Sequence, residues 1–265
     1  MSFQPIVPLG GLAGWEFLKR TRERQENSFT ASPRMSRLTR GFAQDFAKLR
    51  SAEDLVGNRQ ALDVVLGAYG LQADLENRAF IKKVITDGAT DPRALSNRLA
   101  DKRYNALARD MAHLAPGGTG QAPQDLAEQL LGRFRTMAFE VAVGDSNESM
   151  RLGLAFERKL PEIAAASQSD AAHWFSVLGD LPTRWVIETA LGLPKEFASL
   201  DIEEQAERLR AAARKRFGTD AMTELAKPEM IAQITQRFLL MEQVKASQTA
   251  MSGAAIALSL LSRAG

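Results

Sequence analysis

The amino-acid sequence predicts an all-α fold, a multi-helix bundle with two related helical repeat units and a long C-terminal helix. Three observations lead there. Apolar residues recur at intervals of three and four, and no stretch alternates apolar with polar residues for long enough to make a strand. One segment occurs twice without a gap, at 55–71 (LVGNRQALDVVLGAYGL) and, 122 positions later, at 177–193 (VLGDLPTRWVIETALGL). Near the C-terminus, apolar and small residues step through a heptad pattern from Ile231 to Leu261.

The repeated segment matches position by position for physical reasons. Gly57 falls on Gly179, Val64 on Val186, Ala68 on Ala190, Gly70 on Gly192 and Leu71 on Leu193. Asn58 and Asp180 carry side-chain oxygens that can accept from the free N–H groups of a starting helix, so they read as N-caps. Gly70 and Gly192 read as the left-handed residue that stops it, and Leu71 and Leu193 as the hydrophobic residue that folds back on the last turn. Each copy is therefore a capped helix of about three turns.

In chain order, Leu12, Trp15 and Leu18 pin the start of a first helix. The almost wholly polar run 19–27 then predicts that its far end projects from the body of the protein. Ser32 followed by Pro33 opens a helix that carries Leu38, Phe42, Phe46 and Leu49 on one side. Ser51 with Asp54 reads as a capping-box-like turn into the first copy. Residues 75–87 form an amphipathic helix closed by Gly88, Asp91-Pro92 caps a short helix, and Asp101 starts one with Tyr104, Leu107, Met111 and Leu114. Residues 115–124 (APGGTGQAPQ) have no charge and are rich in glycine and proline, which marks a linker. Helices follow at 123–143 and 147–166, the latter expected to end or kink at Pro161. Residues 169–178 lead into the second copy, and 201–217 is a charged amphipathic helix in which Lys215-Arg216-Phe217 answers Lys102-Arg103-Tyr104. The expected organisation is a basic N-terminal segment 1–50, a first helical unit 51–114, the linker 115–124, and a second helical unit 125–265.

The terminal helix has its own pattern. Ile231, Ile234, Phe238 and Met241 step by three and four; then Val244, Ser247, Met251, Ala254, Leu258 and Leu261 continue after an extra step of three, a stammer. Small residues in the second half leave room for a partner helix to approach closely. Two readings stay open: the helix closes this protein's own bundle, or it binds a partner.

Composition narrows the functional classes. Hydrophobic residues make up 45% of the chain and charged residues 25%, a globular balance, and cysteine is absent, which excludes disulfides, thiolate metal sites and a cysteine nucleophile. A net charge of +2 names no partner. Residues 1–50, however, hold nine basic side chains against four acidic ones. The N-terminus lacks a basic region before its apolar stretch and is broken by Pro5 and Pro8, so no cleavable signal peptide is expected. No membrane span is expected either: the uncharged run 246–262 is short and holds several polar residues. Arg214-Lys215-Arg216 shares its helix with Glu203, Glu204 and Glu207, which argues against nucleic-acid binding.

No catalytic constellation emerges. His113 and His173 are the two histidines; neither has a second ligand at helical spacing, and no GxSxG motif accompanies them. His113, near a helix end, is expected to complement the carbonyls there. The segment Asp145-Ser-Asn147-Glu-Ser149 opens like a calcium loop but has Met150 at the turn position and Phe156 where a bidentate Glu is needed. The glycine clusters at 10–14 and 117–120 lack the Lys-Ser/Thr of a phosphate loop. The residues point to no metal and no cofactor.

From Asp54 to Met111 the sequence resembles domain-of-unknown-function family 1217, proteins of alphaproteobacteria often encoded in flagellar gene clusters. The matching features are Leu66-Gly-Ala68-Tyr-Gly70-Leu71, Phe80-Ile81 with Lys83-Val84, Asp91-Pro92, and Asn97-Arg98-Leu99-Ala-Asp101-Lys-Arg103-Tyr104. The opening MSFQPIVPLGGLAGW and the closing QTAMSGAAIALSLL are similar to short members. The resemblance implies an all-helical fold and a flagellar association, with no catalytic residues to carry over. The resulting expectation is a non-enzymatic protein of flagellar assembly or structure, cytoplasmic or flagellum-associated, that works through helix–helix contacts with protein partners. Its candidate contact residues are Arg20 and Arg24 on the basic first helix and Val244, Met251, Leu258 and Leu261 on the terminal seam. The alternative is a cytoplasmic export chaperone or regulator of flagellar subunits.

Overall fold

The computed structural model describes residues 3–166 and 169–263, with side chains through 248, and no strand occurs among the described residues. The repeated segment takes the same local form twice. Asn58 accepts the N–H of Ala61 at 3.0 Å, and Asp180 accepts that of Thr183 at 3.1 Å. The helices Arg59–Ala68 and Leu181–Leu191 then stop at Gly70 (φ 67°) and Gly192 (φ 71°). The Leu71 N–H reaches back to Leu66 O at 2.8 Å and the Leu193 N–H to Glu188 O at 3.0 Å, the six-to-one bond of a Schellman stop. Element order runs parallel as well. Around the copies, Ala52–Gly57, Arg59–Ala68, the 3-10 turn Gln72–Asp74 and Arg78–Asp87 follow in the same order of element types as Asp170–Gly179, Leu181–Leu191, the 3-10 turn Lys195–Ser199 and Ile202–Phe217. In each set the first helix packs against the last. The match of Lys215-Arg216-Phe217 to Lys102-Arg103-Tyr104 does not hold, because the first ends a helix and the second opens one.

The two stops are not equally tolerant. A Cβ at Gly192 would meet Met241 Cε at 3.8 Å, an ordinary contact, whereas one at Gly70 would lie 2.8 Å from Met137 Cε. Gly192→Ala is expected to cost about 1–2 kcal/mol, the penalty of a left-handed alanine. Gly70→Ala should cost more, and paired denaturant titrations of the two variants check the order.

The chain divides into two compact units, Met1–Pro5 with Arg22–Ala142, and Ile6–Thr21 with Val143–Gly265. It passes from one to the other between Pro5 and Ile6 and again inside the helices Gly11–Thr30 and Leu126–Gly144. The glycine- and proline-rich segment 115–124 lies within the first unit and is held as a turn: Gly118 N–H donates to Ala115 O and Gly120 N–H to His113 O, both at 2.9 Å. In the first unit, Phe42, Phe46, Leu55, Leu62, Leu66, Ile81, Val84 and Phe134 are buried. In the second, the helices Glu148–Ala165, Leu181–Leu191 and Pro228–Arg263 pack against one another, burying Trp15, Leu154, Phe156, Val186, Ile234 and Phe238.

Several helices differ from the pattern expected of the sequence. The polar run of the first helix hides a core-facing pair one turn apart: Gln25 and Phe29 are buried, and the Phe29 ring meets Phe139 edge to face at 5.8 Å. That end is packed, not projecting. The helix opened by Ser32 breaks after Thr39, because Gly41 turns left-handed (φ 76°), and it resumes as Phe42–Phe46. The helix expected from residue 75 begins at Arg78. Glu148–Ala165 runs on through Pro161, with Leu160 and Ile163 buried on either side of it. Packing of those neighbours offsets the lost backbone bond.

Candidate functional site

The terminal helix Pro228–Arg263 carries the strongest candidate surface. Ile231, Ile234, Thr235, Phe238 and Leu239 are buried, whereas residues 243–248 are all exposed. Leu240 is 46% and Val244 48% exposed, large values for apolar side chains on a helix whose first half is core. The stammer explains the change. At 3.6 residues per turn, Val244 lies about 120° around the helix from Phe238, so the extra step carries the seam off the core face. Leu240 stands four residues before Val244, and Met251 and Leu258 follow at intervals of seven. The side chains of Met251, Leu258 and Leu261 lie outside the described residues; the backbone there continues as helix to Arg263. Lys245 ties this stretch to Leu181–Leu191, its ammonium 5.2 Å from the centre of the Trp185 ring and 3.3 Å from Thr189 Oγ1. Arg20 and Arg24 are both exposed on the first helix, and Arg20 Nε donates to Glu16 O at 3.3 Å.

The residues of the Leu66–Leu71 and Asn97–Tyr104 motifs hold the first unit together. Asn97 Nδ2 donates to Ala89 O at 2.9 Å and Asp91 O at 2.7 Å, and its Oδ1 accepts from Asn105. Arg103 Nη1 donates to Gly70 O at 2.6 Å while Nη2 pairs with Asp101 at 2.6 Å. Tyr104 donates its hydroxyl to Asp74 Oδ2 at 2.6 Å; burial first, then Asp74, pushes its pKa up to about 12. Tyr69 donates to Asp110, which also accepts from Arg133 Nη1 at 2.8 Å. Burial of Tyr69, with Asp110 beside it, raises its pKa strongly. Both phenols are thus held protonated as donors, the opposite of what a nucleophile or general base requires. Their partners lie 30 and 41 residues away, with no local signal to announce them.

Asp110 also forms part of an open cleft of about 350 Å³ with Arg109, Gln124 and Gln129. A second cleft, of about 380 Å³ and bordered by Phe46, Arg50 and Gln121, shares Pro123 and Gln124 with it. His173 is buried with Nε2 2.9 Å from Ala166 O. His113 is buried against Phe46, neither ring nitrogen completing a well-formed hydrogen bond. The Asp110 carbonyl at the end of the helix Arg103–Asp110 lies close enough to favour the protonated ring, as expected of a histidine at a helix end, but burial of the ring against Phe46 outweighs it. Among the described residues, no group of three or more His, Asp or Glu is placed to hold a metal ion, and no helix is long and apolar enough to cross a membrane.

These features define an all-helical protein of two compact units whose shared motif residues serve its architecture. The chain belongs to the family described as "Protein of unknown function (DUF1217)", whose model matches residues 68–231. It is also similar to the X-ray crystal structure of protein AGR_C_984 from Agrobacterium tumefaciens, with 23% identity and a TM-score of 0.72 over 91% of this chain and 99% of that one. At that identity the likeness shows the fold. No curated protein matches the chain.

Proposed function

We propose that this chain is a non-enzymatic protein of flagellar assembly or structure. It acts through helix–helix contacts along the terminal-helix stripe Leu240, Val244, Met251 and Leu258, with Leu261 beyond and the exposed Arg20 and Arg24 as a second contact surface. One observation carries the contact reading: the terminal helix buries its side chains through Leu239 and then exposes Leu240 and Val244 on a different face. From Ala246 to Ser262 it has no charge, although its first half carries Glu229, Arg237, Glu242 and Lys245. An uncharged apolar stripe on a helix suits another helix bearing small and apolar residues at heptad spacing. The flagellar part rests on the family resemblance.

The test is fractionation of a motile host that carries a tagged copy, with the washed hook–basal body, the cytosol and the medium probed in parallel. The protein is expected in the organelle. Val244→Asp and Leu258→Asp should each remove it from there, and Val244→Asp, at a half-exposed position, should shift unfolding stability by no more than about 0.5 kcal/mol. Global unfolding of these variants would return the stripe to the protein's own core. Recovery from the cytosol alone, bound to an unexported subunit, would replace the structural role with that of a chaperone or regulator.

A further inference from the structure

The His113 side chain is buried, 8% exposed, and neither ring nitrogen completes a well-formed hydrogen bond; the Asp110 carbonyl nearby gives it partial support only. Its ring meets Phe46 edge to face at 5.8 Å, Phe46 stacks on Phe42 at 5.2 Å, and Met111 and Leu114 on either side are buried. The backbone of the same residue holds the turn that follows. Its carbonyl accepts the Gly120 N–H at 2.9 Å, and a Cβ placed on Gly118 would lie only 2.7 Å from that oxygen. The chain then continues directly into residues 121–124, which border both clefts of this unit.

The charged groups on the neighbouring elements are engaged elsewhere or exposed. On Phe42–Phe46 and the segment after it, Asp45 pairs with Lys48 at 3.0 Å and Arg50 donates to the Ala47 and Leu49 carbonyls, and on Leu126–Gly144 Glu128 is exposed. On Arg78–Asp87, Lys82 pairs with Glu53, Lys83 with Asp87, and Arg78 acts on Glu76. On Arg103–Asp110, Arg103 pairs with Asp101, Asp110 with Arg133, and Arg109 is exposed. Segment 115–124 carries no charge. No carboxylate is therefore placed to accept a proton-bearing imidazolium, and a buried unpaired charge is unfavourable.

We propose that His113 is an acid-operated latch: on taking up a proton its ring leaves Phe46 for water, releases the turn at 117–120, and opens the wall of the two clefts. The direction follows from linkage. Burial, which outweighs the weaker opposing pull of the Asp110 backbone, holds the ring's pKa below its ordinary 6.5. Between that lowered value and 6.5 the open form binds more protons than the closed one. Closure therefore weakens as pH falls through 6.5, and the effect levels off once both forms are protonated.

The experiment is amide hydrogen exchange of the full chain, read on the peptide spanning 111–125 from about pH 7.5 to about pH 4.5, after correction for the intrinsic rate. Protection is expected to fall by up to about tenfold per pH unit below 6.5, the limit for one linked proton. His113→Phe keeps a ring on Phe46 without the titration and should abolish this slope. An unchanged slope in that variant, or a flat profile in the native chain, would overturn the latch. A second reading needs no variant: the imidazole NMR signal with contacts to the Phe46 ring must titrate below 6.5, and a midpoint at or above that value also overturns it.

Discussion

Replacement of Trp15 by alanine is expected to destabilise its unit by about 3–5 kcal/mol, the range for removing a buried tryptophan. Trp15 is 1% exposed. Its Cη2 and Cζ3 atoms lie 3.1 Å from where a Cβ on Gly153 would stand, and the Thr235 methyl lies 3.4 Å from the same point. The indole therefore fills the space that Gly153 leaves open, between the helix Glu148–Ala165 and the terminal helix. Neither neighbour can close the gap: Gly153 has no side chain to extend, and Thr235 is fully buried in its own position. Trp185, 47% exposed, offers the contrast, and its alanine variant should lose far less. All three tryptophans lie in this unit and both tyrosines in the other. Tryptophan fluorescence during denaturant unfolding thus reads the Trp15 variant through Trp174 and Trp185.

Gly67→Val should be comparably damaging in the first unit, at about 3 kcal/mol. Gly67 sits within the helix Arg59–Ala68, where alanine would ordinarily gain about 1 kcal/mol over glycine. Here a Cβ would lie 2.5 Å from Cδ2 and 2.7 Å from Cε2 of Phe134, which is 1% exposed and cannot swing into solvent. Gly67→Ala is therefore expected to lose stability despite its helix propensity, and valine to lose more. The ring NMR signals of Tyr69 and Tyr104 follow this unit specifically. A neutral or stabilising Gly67→Ala would show that the Phe134 ring has room to move.

The prediction at Gly67 also shows where reading a sequence stops. The Leu-Gly-Ala-Tyr-Gly-Leu motif announces the stop at Gly70, because a left-handed glycine followed by a leucine is a pattern of adjacent residues. It does not announce Gly67, whose reason for being glycine is a ring 67 positions away. The same division holds at the proposed contact surface. The stammer after Met241 is written in the spacing of the side chains, but whether the seam before it is core or surface depends on which face meets Leu181–Leu191 and Glu148–Ala165.

What the sequence determined alone was local: the caps at Ser32, Ser51, Asn58 and Asp180, the stops at Gly70, Gly88 and Gly192, and with them the all-helical class. Each of these rests on hydrogen bonds or torsions within a few residues, so a short window contains the whole cause. Only the tertiary structure decided that Gln25 and Phe29 face a core, that segment 115–124 is a held turn and not a linker, that the chain divides within helices, and that Tyr69 and Tyr104 are bonded to Asp110 and Asp74. Those outcomes depend on partners tens of residues apart, brought together by apolar burial. Burial is non-directional, and it leaves no mark at either end of the pair.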